Sequence, residues 1–196
     1  MRKLLLTTAA VAAAIAGAFA AEPSFGTFTD NRDGQKYKTV KIGTQTWMAQ
    51  NLNYKADSSW CYNDSLSYCK KYGRLYDWNT ATTVCPNGWK LPDTADWNKL
   101  VATAGGEEIA GKKLKSKSGW KYENGNGTDD YGFSALPGGI RYSDGFNSAG
   151  YRGYWWTSEE HGSGYAYRRY MDYNYDGVGE LIIVKSDRQS VRCVDG

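Results

Sequence analysis

Histidine is almost absent from this sequence, and the cysteines do not form the close pairs that bind zinc. Among 196 residues there is one histidine, His161, and no two cysteines are separated by only two residues. Structural zinc sites need four closely spaced cysteine or histidine ligands, so a zinc ribbon or finger is excluded. A serine or cysteine triad is also disfavoured, because His161 lies in the turn-like stretch Glu-Glu-His-Gly-Ser-Gly, without a nucleophile motif beside it.

Long apolar runs and phosphate-binding loops are also missing from most of the chain. A transmembrane helix needs about 20 consecutive apolar residues, and nothing after residue 20 approaches that length. Neither G-x-x-x-x-G-K-S/T nor G-x-G-x-x-G occurs. These absences predict a chain without a membrane span beyond residue 20 and without either kind of phosphate loop.

The N-terminus carries the one long apolar segment. Arg2 and Lys3 precede an apolar run over residues 4–19, and the run ends in the small-residue pattern Ala18-Phe19-Ala20. This order predicts a signal peptide over residues 1–20, cleaved after Ala20. We expect the processed chain to be soluble and either secreted or displayed at the cell surface, with the periplasm as another destination.

The processed chain is nearly neutral. Removing residues 1–20 leaves 22 basic against 21 acidic side chains, a formal charge of +1. Nucleic acid is therefore not an expected partner, because its binding needs a concentrated basic surface. The densest basic cluster is predicted to be a solvated face and contains Lys112, Lys113, Lys115 and Lys117.

All four cysteines follow the predicted cleavage site. An even number of cysteines in an exported chain predicts two disulfides, and four cysteines allow three connectivities. We favour Cys61–Cys69, which closes a local loop, together with Cys85–Cys193, which ties the middle of the chain to its end.

Local patterns predict one α+β domain over residues 30–196, preceded by a leader over 21–29 that is flexible as far as Gly26. Residues 35–51 read as a hairpin with one buried face. The clearest helix is predicted over 93–104, from an apolar stripe at i, i+3, i+4 spacing. Weaker expectations are helices over 77–84 and 107–114, a disulfide-pinned loop over 53–72, irregular connections over 123–130 and 144–153, and strands over 133–136, 154–158, 165–170, 181–185 and 190–194.

Several separated motifs together resemble one bacterial family, the Fibrobacter succinogenes major paralogous domain. The resemblance runs from about Asp30 to the C-terminus and implies an exported domain that often occurs on surface proteins. Its motifs are Tyr37-Lys38-Thr39-Val40-Lys41-Ile42-Gly43, Trp47-Met48-Ala49-Gln50-Asn51-Leu52-Asn53, Gly73-Arg74-Leu75-Tyr76-Asp77-Trp78, Cys85-Pro86-Asn87-Gly88-Trp89-Lys90-Leu91-Pro92 and Ser190-Val191-Arg192-Cys193-Val194.

A weaker resemblance concerns the fold. Two segments are similar to parts of formylglycine-generating sulfatase-modifying domains. One is residues 88–92, which open a helix containing Trp97, and the other is Arg192-Cys193 near the end of the chain. That similarity implies a C-type-lectin-like fold with irregular antiparallel sheets, one or two helices, long loops and two disulfides. In lectins of this type a disulfide joins a helix region to the final strand, as Cys85–Cys193 would do. The modifying enzymes' C-terminal cysteine pair and the lectins' Trp-Asn-Asp sugar motif are both missing here, so the resemblance implies the fold more strongly than either activity.

Residues 172–177, Asp-Tyr-Asn-Tyr-Asp-Gly, match the first half of a calcium loop. The candidate metal ligands are Asp172, Asn174, Asp176 and Glu180. Ile183 stands where the bidentate glutamate is expected, so the motif is incomplete. The alternative is a plain hairpin turn, which the same residue types favour. No other cofactor is expected.

Aromatic residues are the most abundant feature, with 16 Tyr, 8 Trp and 5 Phe. An exposed ring stacks on the C–H face of a sugar, while neighbouring polar groups bond its hydroxyls. Trp120 and Tyr122 are therefore the first candidates for ligand contact, followed by Tyr142 and Tyr151. Loop-rich folds also fill their interiors with aromatics, and we assign most of a second set to the core: Trp47, Trp78, Trp89, Trp97, Trp155 and Trp156.

Three functions remain open at this point. The favoured one is a non-catalytic recognition or adhesion module that binds polysaccharide or another cell-surface component. The second is a structural envelope protein without a discrete ligand, and the third is an enzyme of the formylglycine-generating type or a carbohydrate hydrolase. The adjacent carboxylate pairs Glu107-Glu108, Asp129-Asp130 and Glu159-Glu160 are predicted to be solvated charge, because hydrolysis needs two carboxyls facing each other across a bond.

Overall fold

The computed structural model describes residues 23–196, so the predicted signal peptide lies outside the described residues. In the described part of the chain, two main sheets, a separate hairpin and four short helices make up an α+β fold with two disulfides. The predicted α+β class with small antiparallel sheets and two disulfides is thereby confirmed, although the helices number four rather than one or two. Within residues 23–196, no helix is both long and apolar enough to cross a membrane.

The first sheet contains five strands. In spatial order they are β1 (Ser24–Thr29), β2 (Lys36–Ile42), β3 (Gln45–Met48), β13 (Val194–Asp195) and β6 (Trp89–Lys90). The predicted hairpin is confirmed as β2 and β3, since Ile42 pairs with Gln45 across a two-residue turn. The expectation of a flexible leader is wrong for residues 24–26, because β1 pairs along its whole length with β2.

The second sheet is the larger one. In spatial order it contains β11 (Gly179–Val184), β10 (Tyr165–Asp172), β9 (Arg152–Glu160), β12 (Gln189–Ser190), β5 (Leu75–Tyr76) and β4 (Ser59–Trp60). The strands predicted over 154–158, 165–170 and 181–185 are confirmed as β9 to β11, which pair antiparallel in succession. The strand predicted over 190–194 is divided between β12 and β13, which lie in different sheets. β12 then returns to lie parallel to β9.

Four helices cover the connections: α1 (Leu66–Tyr72), α2 (Trp78–Ala81), α3 (Thr94–Thr103) and α4 (Ala110–Leu114). The predictions of α2, α3 and the weaker α4 are confirmed. The prediction of a loop over 53–72 is wrong at two places, at Ser59–Trp60, where β4 forms, and at Leu66–Tyr72, where α1 forms. Hydrophobic periodicity does not predict α1, because this helix is short and mostly polar.

A third, two-stranded sheet has its second strand in the stretch 144–153 that was predicted to be irregular. It consists of β7 (Ile140–Tyr142) and β8 (Gly145–Asn147), joined by a two-residue turn. The strand predicted over 133–136 is reduced to a single bridge between Lys115 and Ala135.

The core divides into two clusters, one on each face of β9. Trp155 enters the first cluster and its neighbour Trp156 the second, because successive strand residues point to opposite faces. In the first cluster Trp97 of α3 lies 5.2 Å from Trp47 and 6.1 Å from Trp155, measured between ring centroids. The predicted core tryptophans are confirmed, with Trp78 and Trp89 packed partly buried against the second cluster.

A buried polar hub joins the two sheets at Asn51. Its Oδ1 accepts hydrogen bonds from Trp155 Nε1 at 2.9 Å and from Arg192 Nη2 at 2.8 Å, while its Nδ2 donates to Tyr72 O at 2.8 Å. Burial lowers the pKa of the Arg192 guanidinium to about 9. Asn51 and Arg192 both belong to the family-like motifs. In this structure each supplies a hydrogen-bond partner to the other inside the core.

Both favoured disulfides are present. Cys61–Cys69 connects the segment after β4 to α1, with its Cα atoms 4.9 Å apart, and Cys85–Cys193 connects the segment after α2 to the start of β13, with its Cα atoms 6.0 Å apart. No free cysteine remains in the described chain.

Candidate ligand-binding surface

Three tyrosines from separate loops meet at one place on the surface. The ring of Tyr173 lies 5.8 Å from the ring of Tyr122 and 5.6 Å from that of Tyr151, between centroids. Tyr122 is 62% exposed and Tyr151 is 41% exposed. We call these three residues, together with Lys121, the tyrosine patch.

Lys121 places a positive charge between two of the rings. Its Nζ lies 5.2 Å from the Tyr122 centroid and 5.3 Å from the Tyr151 centroid, within the range of a cation–π interaction. The loops are joined through their backbones, since Lys121 N donates to Gly150 O at 2.6 Å and Tyr173 N donates to Tyr151 O at 2.9 Å. The patch is therefore a surface built by three connected segments.

The backbone at Tyr122 is held in an unusual conformation. Its φ is 61° and its ψ is 154°, a region that side chains other than glycine rarely adopt. Such positions cost free energy, persist only where the surroundings hold them, and cluster at functional sites. Here the loop is held against Tyr173 at Gly125, where an added Cβ would lie 3.0 Å from the Tyr173 Cβ.

The chemistry of the patch suits a ligand that is apolar on one face and polar at its edges. Exposed tyrosine rings offer flat apolar surface and hydroxyls that donate and accept, and the Lys121 ammonium donates to oxygen. A sugar ring has this combination of C–H faces and peripheral hydroxyls.

The prediction that Trp120 contacts ligand is wrong. Trp120 is only 5% exposed and belongs to the first core cluster. Its Nε1 donates to Ser116 Oγ at 3.2 Å and to Ala135 O at 3.0 Å. The indole is thus satisfied inside the protein, and only its chain neighbours face outward.

The other predicted ligand residues divide between two places. Tyr122 and Tyr151 come together in the tyrosine patch, whereas Tyr142 lies half-buried on β7. Sequence reasoning missed Lys121 and Tyr173. Lys121 lies between two candidate aromatics, and Tyr173 lies in the loop that was interpreted as a calcium motif.

The predicted calcium site is not formed by the described residues. The Asp172 carboxylate pairs with Arg152, Asp172 Oδ1 accepts from Asn174 N at 3.2 Å, and Glu180 pairs with Arg169 at 2.7 Å. Among residues 23–196, no group of three or more aspartate, glutamate, histidine or cysteine side chains could hold a metal ion. Asp176 therefore belongs to no such group. The alternative, a turn between β10 and β11, is what the structure shows.

A lysine ammonium lies against the backbone of that turn. Lys115 Nζ donates to Asp172 O at 2.9 Å and to Tyr175 O at 3.0 Å. Lys115 is fully buried, and burial lowers its pKa. The prediction of a solvated lysine cluster is therefore wrong at this residue.

The adjacent carboxylates are solvated, as predicted, in two of the three pairs. Glu107, Glu108, Glu159 and Glu160 are all exposed. In the third pair Asp130 is exposed, while Asp129 is half-buried and its carboxylate accepts from Ser134 N at 2.7 Å.

One family model matches this chain over residues 40–195, and its description is the Fibrobacter succinogenes major domain. The match covers well over half of the chain and ends at β13. No curated protein and no solved structure matches significantly.

Proposed function

The chain belongs to the Fibrobacter succinogenes major domain family, and we propose that this member is an exported, non-catalytic recognition module that binds polysaccharide through the tyrosine patch. The observation that carries the proposal is the meeting of Tyr122, Tyr151 and Tyr173 around Lys121, with two of the rings open to solvent. A contiguous exposed aromatic surface often marks a binding site, so the grouping of these rings beside the strained backbone of Tyr122 supports a binding role.

Export is part of the proposal, to the medium or the cell surface. Its support is the signal-like N-terminus together with two disulfides, because disulfides persist in oxidising compartments and are rare in reducing ones.

A C-type-lectin-like fold is a further part of the proposal. It is supported by the Cys85–Cys193 bridge, which joins the segment before α3 to the start of the last strand. A solved crystal structure of the processed chain, superposed on lectin domains, tests this part.

The binding proposal is tested with a glycan array of the processed chain, followed by titration of the retained glycan against three variants. Tyr122→Ala and Tyr151→Ala should each weaken binding by about 1 to 2 kcal/mol, roughly five- to thirty-fold in Kd, because each removes a stacking face. Phe25→Ala is the matched control, since Phe25 is an aromatic residue 69% exposed on β1 and outside the patch. It should bind like the wild type.

Two results would contradict the proposal. A folded wild-type chain that is retained by no glycan would remove the binding role and favour a structural envelope protein. Cleavage of a retained glycan would instead contradict the non-catalytic part and favour a carbohydrate hydrolase.

A further inference from the structure

Two arginines stack on Trp60, on elements that contribute nothing to the tyrosine patch. Arg141 Cζ lies 5.0 Å and Arg188 Cζ 4.7 Å from the centroid of Trp60. The two arginines are also connected through the backbone, with Arg141 N donating to Arg188 O at 3.0 Å and Arg188 N to Arg141 O at 2.9 Å. A third arginine, Arg168 on β10, stacks on Tyr154 at 4.3 Å. We call Trp60, Arg141, Arg168 and Arg188 the arginine cluster.

The arginines of this cluster lack carboxylate partners. Among residues 23–196, no ion pair within 4 Å involves Arg141, Arg168 or Arg188. Arg152 and Arg169, by contrast, each pair with an acid. Cation–π stacking fixes a guanidinium but leaves its N–H donors free, so these donors remain available to an external acceptor.

Buried side-chain polar atoms without a hydrogen-bond partner belong mostly to these three arginines and to the chain neighbours of Arg188. Of the eleven such side-chain atoms in the described chain, seven belong to Arg141, Arg168, Asp187, Arg188 and Gln189. Arg168 is only 6% exposed, yet its Nε and Nη1 have no partner. Native proteins leave few such atoms unpaired, and a group of them points to a bound molecule that completes the network.

Asp187 is an acid close to these arginines, and it forms no ion pair with them. Burial raises the pKa of Asp187, while the charges of Arg168 and Arg188 act in the opposite direction. Asp187 Oδ2 itself has no hydrogen-bond partner. The cluster therefore keeps an excess of positive charge.

A cavity of about 540 Å³ borders the cluster at Arg188. Its wall contains groups that suit hydroxyls, namely the Asn79 amide and the Ser186 hydroxyl, and it contains the ring of Tyr165, which is half exposed. A cavity of this size holds a ligand as large as one or two sugar units.

We propose that the arginine cluster binds the carboxylate of an acidic saccharide whose sugar rings occupy the cavity beside Arg188. A guanidinium offers a planar fork of donors that matches a carboxylate, and Arg141 and Arg188 both hold such a fork against the ring of Trp60. Trp60 is a positioning residue, because its ring orients the two guanidiniums. The site shares no residue with the tyrosine patch and does not depend on it.

The test uses two versions of one probe, tri-galacturonate and its fully methyl-esterified form, titrated calorimetrically into the processed chain. The ester has the same sugar rings without the negative charge. We expect the acid to bind at least ten-fold more tightly than the ester, and its affinity to fall as salt is raised. Equal affinity for the two forms, or no binding of the acid by folded protein, would overturn the proposal.

Variants identify the residues involved. Arg141→Gln and Arg188→Gln should each weaken acid binding about ten-fold, and Arg188→Lys, which keeps the charge but loses the fork, should weaken it several-fold. Lys41→Gln on the exposed face of β2 removes one charge elsewhere and should have no effect. If the arginine variants keep wild-type affinity while folded by circular dichroism, the assignment is wrong.

A last variant separates this site from the proposed function. Tyr122→Ala should leave tri-galacturonate binding unchanged. If it abolishes this binding, the acidic ligand is held by the tyrosine patch and the arginine site is refuted.

Discussion

Tyr37 carries a hydroxyl that is buried beneath the first sheet. The residue is almost fully enclosed, and its oxygen accepts a hydrogen bond from Asn53 N at 3.0 Å. Burial raises the pKa of Tyr37 from 10.0 to about 12. Tyr76 is in a similar position, since its buried hydroxyl donates to Tyr54 O at 2.7 Å and its pKa is also raised.

The raised pKa predicts a loss of stability at alkaline pH. The unfolded chain releases the Tyr37 proton near pH 10, whereas the folded chain holds it until about pH 12. The stabilising contribution is therefore fully present below pH 10 and disappears as pH rises from 10 to 12, with a total of about 2 to 3 kcal/mol. Urea unfolding at a series of pH values measures this decline.

Tyr37→Phe isolates the contribution of this residue. The variant should be less stable at pH 8 by about 1 kcal/mol, because Asn53 N loses its acceptor, and its decline between pH 10 and 12 should be shallower. Tyr122→Phe, at an exposed tyrosine, should decline like the wild type. A Tyr37→Phe variant with the full wild-type decline would contradict the assignment.

Neighbouring residues in one loop show that composition does not predict which aromatic side chains are buried and which are exposed. Trp120 and Tyr122 have similar surroundings in the sequence, yet the first is a core residue and the second is the most exposed member of the tyrosine patch. A loop has no regular period, so the direction of each side chain depends on tertiary contacts. Lys115 differs from the nearby lysines for the same reason, because backbone carbonyls distant in sequence accept from its ammonium.

Among the elements, α3 begins with a complete capping box. Asp93 Oδ1 accepts from Asp96 N at 2.7 Å, and Asp96 Oδ2 accepts from Asp93 N at 3.2 Å. These bonds satisfy two of the N–H groups that a helix start leaves without partners. α3 carries Trp97 into the centre of the first core cluster, so its start also fixes the position of that ring.

Asp93→Ala should destabilise the protein by about 1 kcal/mol, because the Asp96 N–H loses its acceptor. Thermal unfolding should show a decrease of about 2 to 4 °C in Tm for a chain of this length. Asp93→Ser restores an N-cap oxygen and should recover most of the loss. An alanine variant as stable as the wild type would show that water replaces the cap without cost.

Elements with a local signal could be predicted, and elements held by distant contacts could not. α3 has an apolar stripe and a cap, and β2 and β3 alternate around a turn. α1 has neither signal, and the Cys61–Cys69 bridge anchors it at the buried Cys69. β7 and β8 are short, and the Ser143-Asp144 turn between them lies in a region rich in glycine and asparagine. The tyrosine patch joins residues up to 52 positions apart, which no local pattern indicates.

At the scale of the whole molecule, the two disulfides differ in what they restrain. Cys61–Cys69 closes a loop with a sequence separation of 8, and Cys85–Cys193 closes one of 108. In the chain-entropy account, a bridge stabilises by restricting the unfolded chain, and the effect grows with loop length.

Removing the long bridge by the pair Cys85→Ser and Cys193→Ser should cost about 4 to 5 kcal/mol, against about 2 to 3 kcal/mol for the pair Cys61→Ser and Cys69→Ser. Urea unfolding of both double variants compares them under identical conditions. Equal losses, or a larger loss from the short bridge, would mean that native packing at the cysteines outweighs the entropy of the unfolded chain.

The Cys85–Cys193 bridge also encloses every residue of the tyrosine patch within its loop. A protease that cuts the backbone anywhere inside this loop yields two fragments that sulfur still holds together. Nicked molecules would migrate as one band on a gel without thiol and as two bands with it. A binding surface made of exposed loops would thus stay covalently attached after a single cut, and only a second cut inside the same loop would release a segment of it.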